Sequence, residues 1–181
     1  MSKKRLNLGC GTDIRKGWVN LDSAPLAGVD TVWDIQKLPL PFKDGAFDEI
    51  LCQDILEHVE YVEILKDIHR IMEKGAKIII RVPHFTANTN YIDPTHKKMF
   101  SVSTFKFFID EMNSKRKYYF DFTFSRIESR RITFERSSRL FFYNKLVEKI
   151  INRSFRMQEI YETTFLSRLF PALNIEIELI K

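Results

Sequence analysis

Residues 6–13 decide the fold of this chain and read Leu6-Asn7-Leu8-Gly9-Cys10-Gly11-Thr12-Asp13. The apolar start predicts a short buried strand, and the two glycines predict a turn directly after it. Because glycine has no Cβ, the backbone at positions 9 and 11 can approach a bound ligand closely. The stretch therefore predicts a strand that leads into a ligand-binding turn.

Acidic residues stand at the ends of the next two predicted strands. Asp22 ends the second strand, and Asp34 follows the third. A carboxylate at the end of the second strand can accept hydrogen bonds from both hydroxyls of a ribose. Together with the glycine turn, these residues indicate a cofactor that contains a nucleoside.

The spacing of these residues argues against a dinucleotide. A dinucleotide fingerprint has a third glycine, a full helix and an acidic residue about 20 positions further on. Here Asp22 follows Gly9 closely, Asp13 stands where a third glycine is expected, and residues 14–17 are too few for a helix. Without a helix N-terminus to bind pyrophosphate, the site favours a nucleoside without phosphates, and S-adenosylmethionine fits.

The hydrophobic pattern along the rest of the chain indicates an α/β protein. Short apolar runs predict buried parallel strands at residues 5–8, 18–22, 29–33, 47–52 and 77–82. Alternation predicts further strands at residues 118–134 and 174–180, and helical periodicity predicts helices at residues 61–73, 103–112, 139–153 and 155–169. The helix at 61–73 is expected to end at Gly75, since a glycine commonly follows the last helical residue.

With these motifs the chain resembles the class I S-adenosylmethionine-dependent methyltransferases, in particular small bacterial and archaeal methyltransferase-domain proteins. The resemblance covers about the first 100 residues and rests on segments 6–11, 17–22, 34–42, 47–50, 56–59 and 69–82. It implies one domain over residues 1–181 with a Rossmann-like, seven-stranded mixed sheet. Residues 1–100 would bind the cofactor, residues 101–181 would form the substrate half, and a helical insertion at 136–172 would cover the substrate pocket as a lid.

The resemblance also implies which residues bind S-adenosylmethionine. They lie at the ends of the first four strands and are Gly9, Cys10, Gly11, Asp22, Ser23, Asp34, Ile35, Gln53 and Asp54. In the family, the glycine turn lines the methionine part, the acidic residue after strand two binds the ribose, and the one after strand three accepts from the adenine amino group. The chain departs from the family at Asn7, where an acidic residue is usual, and at Asp13, where glycine is usual.

Three histidines are candidate general bases for the reaction. Methyl transfer from a sulfonium is an in-line displacement, so the enzyme positions the acceptor and can remove its proton. Ligands bind at the C-terminal ends of strands in such sheets, which selects His84, His58 and His96, with His84 the sharpest candidate because it directly follows strand five. Each could instead be a structural histidine. No metal is expected, because His84, Asp93 and His96 match no standard metal-ligand spacing.

Composition limits the location of the protein. No run of 18 apolar residues is present, so no transmembrane helix is expected. The first predicted strand begins too early for a signal peptide. Cys10 and Cys52 are the two cysteines, and both fall at strand or turn positions, so no structural disulfide and a reducing cytoplasm are expected.

The uneven charge bears on the acceptor. The net charge of +5 arises after residue 98, since residues 1–98 carry equal numbers of basic and acidic side chains. This predicts either a solvated basic face over an aromatic-rich core or a surface for an anionic partner such as a phospholipid, a sugar phosphate or RNA. The favoured acceptor is a small molecule or a carrier-linked group, such as a sugar, lipid or similar hydroxyl, which can be anionic. An RNA methyltransferase using the basic aromatic C-terminal part and a non-catalytic S-adenosylmethionine-binding protein are alternatives.

Two kinds of association also stay open on the sequence. Helices over residues 139–170 carry aromatic and basic residues, which would suit peripheral contact with an anionic membrane. The absence of a helix after the first strand predicts a thinly covered, apolar sheet face, which a homodimer could bury.

Overall fold

The computed structural model describes residues 4–109, 120–137, 139 and 142–181. One seven-stranded sheet dominates it, formed by β1 Arg5–Leu8, β2 Val19–Asp22, β3 Thr31–Val32, β4 Phe47–Gln53, β5 Met72–Pro83, β6 Arg126–Ile132 and β7 Asn174–Ile180. The strand order is β3-β2-β1-β4-β5-β7-β6. Strands β1 to β5 pair in parallel, and β7 is antiparallel to both β5 and β6. This confirms the predicted mixed α/β sheet.

The helices of the described residues are shorter than predicted and differently divided. They are α1 Tyr61–Ile71, α2 Thr89–Ile92, α3 Asn144–Ile151, α4 Phe155–Thr163 and α5 Leu166–Leu169, with 3-10 turns at Leu56–His58 and Thr104–Phe108. The predicted helix at 103–112 is this second 3-10 turn as far as it is described, and residues 110–119 lie outside the described part. The strand predicted from residue 118 is confined to β6.

Gly75 corrects the predicted end of the first helix. Helix α1 ends at Ile71, and Gly75 lies inside β5 with φ of 80°. Met72 already pairs with Phe47, and the register then shifts before Glu49. A helix-terminating glycine and a glycine at a strand irregularity both use positive φ, so the sequence could not separate them.

One face of the sheet forms the core. The register places Leu6, Ile50, Ile78 and Leu179 in one row across four neighbouring strands, and each is fully buried. The buried aliphatic side of α1 belongs to the same hydrophobic cluster. This face therefore holds the α/β sandwich together.

The opposite face of the sheet combines charged rows with an apolar pair, Leu51 beside Ile79. Arg5, Glu49 and Lys77 form one row across β1, β4 and β5, and Arg81 lies beside Glu176 in another. Lys77 Nζ is 3.0 Å from Glu49 Oε1. Among the described residues, no large exposed hydrophobic side chain belongs to β1, β4, β5 or β7. Charged side chains in alternate positions keep much of this face compatible with water, and the homodimer stays a prediction.

Helices α3, α4 and α5 occupy the predicted insertion between β6 and β7. The Arg130 side chain of β6 is fully buried beneath them, and its Nε donates to Gln158 Oε1 at 2.8 Å. Tyr161 of α4 is also fully buried, and its hydroxyl donates to the Phe170 carbonyl at 2.7 Å. The insertion is thus packed into the core, and its action as a lid stays a prediction.

Two further features concern the cysteines and membranes. Cys10 and Cys52 are both free and buried. None of the helices in the described ranges has the length and apolar character needed to span a bilayer.

Candidate active site

The two glycines after β1 have different surroundings. Gly9 and Gly11 adopt φ of 63° and 50°, a left-handed conformation that other residues rarely adopt. A Cβ on Gly9 would lie 2.3 Å from Ile55 Cδ1, whereas a Cβ on Gly11 would meet nothing within 4 Å. Gly9 is therefore required by packing, and Gly11 leaves open space at the end of the sheet where a ligand can approach.

Asp22 lies beside this turn. Its Oδ2 accepts a hydrogen bond from the Gly11 N–H at 2.8 Å, and its Oδ1 accepts from the Ala24 N–H at 2.9 Å. The Ser23 hydroxyl is 3.5 Å from Oδ1. These bonds hold the carboxylate at the end of β2 next to Gly11, within reach of a nucleoside bound over the turn.

Asp34 and Ile35 follow β3 at the outer edge of the same end of the sheet. Asp34 Oδ1 accepts a hydrogen bond from the Gln36 N–H at 3.0 Å, which forms a side-chain turn typical of Asp. Ile35 is 8% exposed and joins the core. Asp22 and Asp34 thus stand in sequence along one edge, as the resemblance implies for ribose and adenine.

Asn7 has a role that the sequence did not reveal. Its Nδ2 donates to the Asp13 carbonyl at 2.7 Å and to Asn20 Oδ1 at 3.2 Å. Asn20 Oδ1 also accepts from the Arg15 N–H, and Asn20 Nδ2 donates to Asp30 Oδ2. These hydrogen bonds stabilise the short loop after β1, where the dinucleotide fingerprint would have a helix. A carboxylate at position 7 would have no proton for either bond, so Asn suits this shortened fold.

A cleft of about 170 Å³ lies against the glycine turn, lined by Asn7, Gly9, Cys10, Gln53, Asp54 and Arg81 among others. It is where the resemblance places the methionine part of the cofactor. Asp54 adopts φ of 55° and pairs with Arg81, whose Nε is 2.9 Å from Asp54 Oδ1. Burial, followed by the charge of Asp22, raises the pKa of the Cys10 thiol, so this side chain presents a neutral thiol to the cleft.

A second cleft of about 520 Å³ adjoins the first. Its lining includes Glu57, His58, Asp93, His96 and Asn174, and it shares Asp54 and Arg81 with the first cleft. The Asp54–Arg81 ion pair therefore forms a wall between the two. This arrangement suits a cofactor on one side and an acceptor on the other.

The structure brings His58 and His96 together at the second cleft. Their ring centroids are 4.7 Å apart at an interplanar angle of 77°. His58 Nδ1 is 2.8 Å from Thr95 Oγ1. Glu57 joins them, is 1% exposed, and has its pKa raised to about 7 by burial. In the sequence, Glu57 stands out only as the neighbour of His58, because His96, the third member of the cluster, lies far along the chain.

His84 is placed elsewhere. It is fully buried, its Nδ1 lies 2.7 Å from Thr86 Oγ1, and its Nε2 lies 3.1 Å from Glu162 Oε1. Glu162 Oε1 also accepts from the Val102 N–H. With both ring nitrogens engaged and no exposed edge, His84 has the geometry of a brace between β5 and α4, which corrects its selection as the sharpest candidate base.

Comparisons with known proteins agree with this geometry. Residues 10–80 match the family model described as a methyltransferase domain. A 45-residue segment is 49% identical to an uncharacterised protein of Methanocaldococcus jannaschii and covers 25% of this chain and 20% of that protein. The match therefore spans only about a fifth of that curated relative.

Solved structures share the fold along nearly the whole chain. A SAM-dependent methyltransferase from Archaeoglobus fulgidus is 21% identical with a TM-score of 0.63, covering 99% of this chain and 86% of that one. A SAM-dependent methyltransferase from Thermotoga maritima, described as a possible histamine N-methyltransferase, is 16% identical with a TM-score of 0.60, covering 100% and 83%. Residues 10–80 therefore resemble a methyltransferase domain, and the chain as a whole has the fold of these S-adenosylmethionine-dependent methyltransferases.

Proposed function

We propose that this protein transfers a methyl group from S-adenosylmethionine to a small-molecule or carrier-linked acceptor that bears a hydroxyl group. The observation that carries the proposal is the Asp22 carboxylate held beside Gly11, where the backbone leaves open space. Gly9, Cys10, Gly11 and Gln53 would hold the methionine part. Asp22 with Ser23 would bind the ribose, and Asp34 with Ile35 would bind the adenine.

The chain's own residues would position the reactants. Held by these residues, S-adenosylmethionine would supply the methyl group for the acceptor oxygen and a neutral thioether as the leaving group. Because the sulfonium is a good leaving group, correct placement supplies most of the rate. The acceptor would enter the second cleft across the Asp54–Arg81 pair. There, the Glu57–His58–His96 cluster is the group that can receive the hydroxyl proton or hold the oxygen.

The outer side of α3 supports a lipid-linked or otherwise carrier-bound anionic acceptor. Leu146 and Ile150 of α3 are exposed by 62% and 43%, and Phe142, which precedes α3, is exposed by 82%. The spacing of four residues puts Leu146 and Ile150 on one side of the helix, and Lys145 and Lys149 precede them in the sequence. Helices that lie on anionic membranes combine an apolar side with a polar side rich in Lys or Arg. Flotation with anionic liposomes tests this, and a Leu146→Glu variant that floats as well as wild type would contradict it.

Titration calorimetry with S-adenosylhomocysteine tests the cofactor assignment. Asp22→Ala removes a carboxylate that is expected to accept from both ribose hydroxyls. A hydrogen bond to a charged group contributes about 1.5–3 kcal/mol net, so the loss of even one of the two should lower the affinity by roughly 10- to 150-fold. Asp48→Ala is the matched control, because Asp48 also accepts from a backbone N–H, that of Lys4 at 2.8 Å, but at the opposite end of β4. No binding by wild type would refute the proposed function, and an unchanged Asp22→Ala affinity would refute the assignment of Asp22.

A further inference from the structure

Glu57, His58 and His96 form a compact cluster on the floor of the second cleft. The 3-10 turn after β4 carries the first two, and the loop after α2 brings in the third. One ligand atom from each residue, a carboxylate oxygen or an imidazole nitrogen, lies within 4.8 Å of the other two. Such convergence of one carboxylate and two imidazoles is a donor set that transition-metal dications favour.

Buried polar atoms without partners point into the same cleft. Within the described ranges, Glu57 Oε2, His96 Nδ1 and Thr89 Oγ1 are buried and have no hydrogen-bond partner. Glu57 is 1% exposed and the His96 side chain 8% exposed, and all three residues line the cleft. A buried polar atom without a partner costs about 1–3 kcal/mol. Two of these atoms belong to side chains that can bind a metal, and their lack of partners points to a ligand in this cleft.

The neighbouring residues orient both imidazoles. His58 Nδ1 contacts Thr95 Oγ1 at 2.8 Å, and that hydroxyl donates to Asp93 Oδ1 at 2.6 Å. Asp93 Oδ2 is 3.7 Å from His96 Nε2. The Asp93 carboxylate thus lies on the far side of both rings, linked to His58 through Thr95 and at ion-pair distance from His96, and His58 Nε2 and His96 Nδ1 are left for a ligand. Carboxylates commonly orient metal-binding histidines in this way.

We propose that Glu57, His58 and His96 bind a divalent transition-metal cation such as Zn²⁺, Mn²⁺ or Co²⁺. Three protein ligands leave coordination positions open toward the cleft, as in sites that bind a substrate. On the basis of the proposed function, an acceptor oxygen would occupy an open position, where a cation holds it in place and lowers the pKa of its hydroxyl. The acceptor would then be an oxygen nucleophile able to chelate a metal, and the two histidines would serve as ligands.

Cobalt binding to the full chain without a polyhistidine tag tests the site. Titration of the apoprotein with Co²⁺ should give one equivalent of binding, seen by calorimetry and by a visible absorption band. Loss of an orienting residue commonly costs 10- to 100-fold in metal affinity, so we expect about tenfold or more for Asp93→Asn and at least about 100-fold for His96→Gln or Glu57→Gln. His69→Gln is the control, because His69 is a partly buried histidine on α1 outside the cluster.

The experiment separates the metal site from the proposed function. It needs neither S-adenosylmethionine nor an acceptor, so cofactor binding can succeed while metal binding fails, and the reverse. Circular dichroism melts of the variants establish that they are folded. Stoichiometric Co²⁺ binding that the cluster variants lose and the control keeps supports the site. No binding by wild type, or equal binding by folded His96→Gln, would overturn it.

Discussion

Replacing Gly9 by alanine should destabilise this protein far more than the same change at Gly11, although both glycines have positive φ. A left-handed conformation costs a non-glycine residue about 1–2 kcal/mol, and both variants carry that cost. Gly9→Ala alone also places a methyl group 2.3 Å from Ile55 Cδ1 and 2.9 Å from Ile55 Cγ1. Overpacking of this kind costs about 1–3 kcal/mol.

The expected loss of unfolding free energy is therefore about 2–5 kcal/mol for Gly9→Ala and about 1–2 kcal/mol for Gly11→Ala. Urea denaturation with an unchanged m-value measures both. The Ile55→Ala background supplies the sharper test, because it removes every atom that the new methyl group would contact. In a double-mutant cycle, Gly9→Ala and Ile55→Ala should couple favourably by about 1–3 kcal/mol, while Gly11→Ala and Ile55→Ala should be additive.

The two substitutions should have opposite rankings for stability and for ligand binding. Gly9→Ala should destabilise the fold more, whereas Gly11→Ala should weaken ligand binding more. Open space over Gly11 is where the cofactor is proposed to approach, so a methyl group there should weaken S-adenosylhomocysteine binding in a protein that remains folded. Equal destabilisation by Gly9→Ala and Gly11→Ala, or no coupling between Gly9 and Ile55, would refute the claim that Gly9 is required by packing.

Three further predictions concern stability and thiol reactivity. Arg130→Met leaves the buried Gln158 oxygen without its 2.8 Å partner and should lower the unfolding free energy by about 1–3 kcal/mol, measured by urea denaturation. A loss below about 0.5 kcal/mol, the low end for one ordinary hydrogen bond, would contradict the buried role. Complete burial raises the pKa of the Cys52 thiol, so a thiol reagent should react with Cys52 only after unfolding. The Cys10→Ser variant isolates this thiol for the measurement, and rapid reaction in the native protein would be inconsistent with the burial. Burial, and then the charge of Lys181, lower the pKa of His69 below its usual 6.5. The unfolded chain therefore binds the proton more readily than the folded chain, so the unfolding free energy should fall below pH 6.5 more steeply in wild type than in His69→Gln. Equal slopes in the two proteins would contradict the lowered pKa.

Local pattern was enough to predict the first five strands and the placement of the glycine turn. Apolar runs bounded by turn residues fix a buried strand without knowledge of the partners, because both faces of a parallel strand are enclosed in most such sheets. The end of each strand then follows, and with it the position of Asp22 and Asp34. The charged residues on the second face of this sheet occupy alternate positions within these apolar runs, so the runs are still recognisable as strands.

Contacts between distant segments could not be predicted in this way. The selection of His84 rested on its position directly after β5, but the direction of its ring depends on Glu162, far along the chain. The departure at Asn7 looked like a weakened cofactor contact, whereas its partners across the shortened loop show a structural role. In both cases the deciding atoms belong to residues that sequence spacing does not relate.

The sequence by itself determined the sheet, its parallel core and the acidic residues at the ends of β2 and β3, because these depend on periodicity and on backbone freedom over a few neighbouring residues. Only the tertiary structure decided which histidines face a cleft and which is a brace. It also decided that Glu57, His58 and His96 converge, and that Asp54 and Arg81 divide two clefts. Side-chain chemistry at a site depends on distances of a few ångströms between segments, and those distances are set by packing of the whole chain.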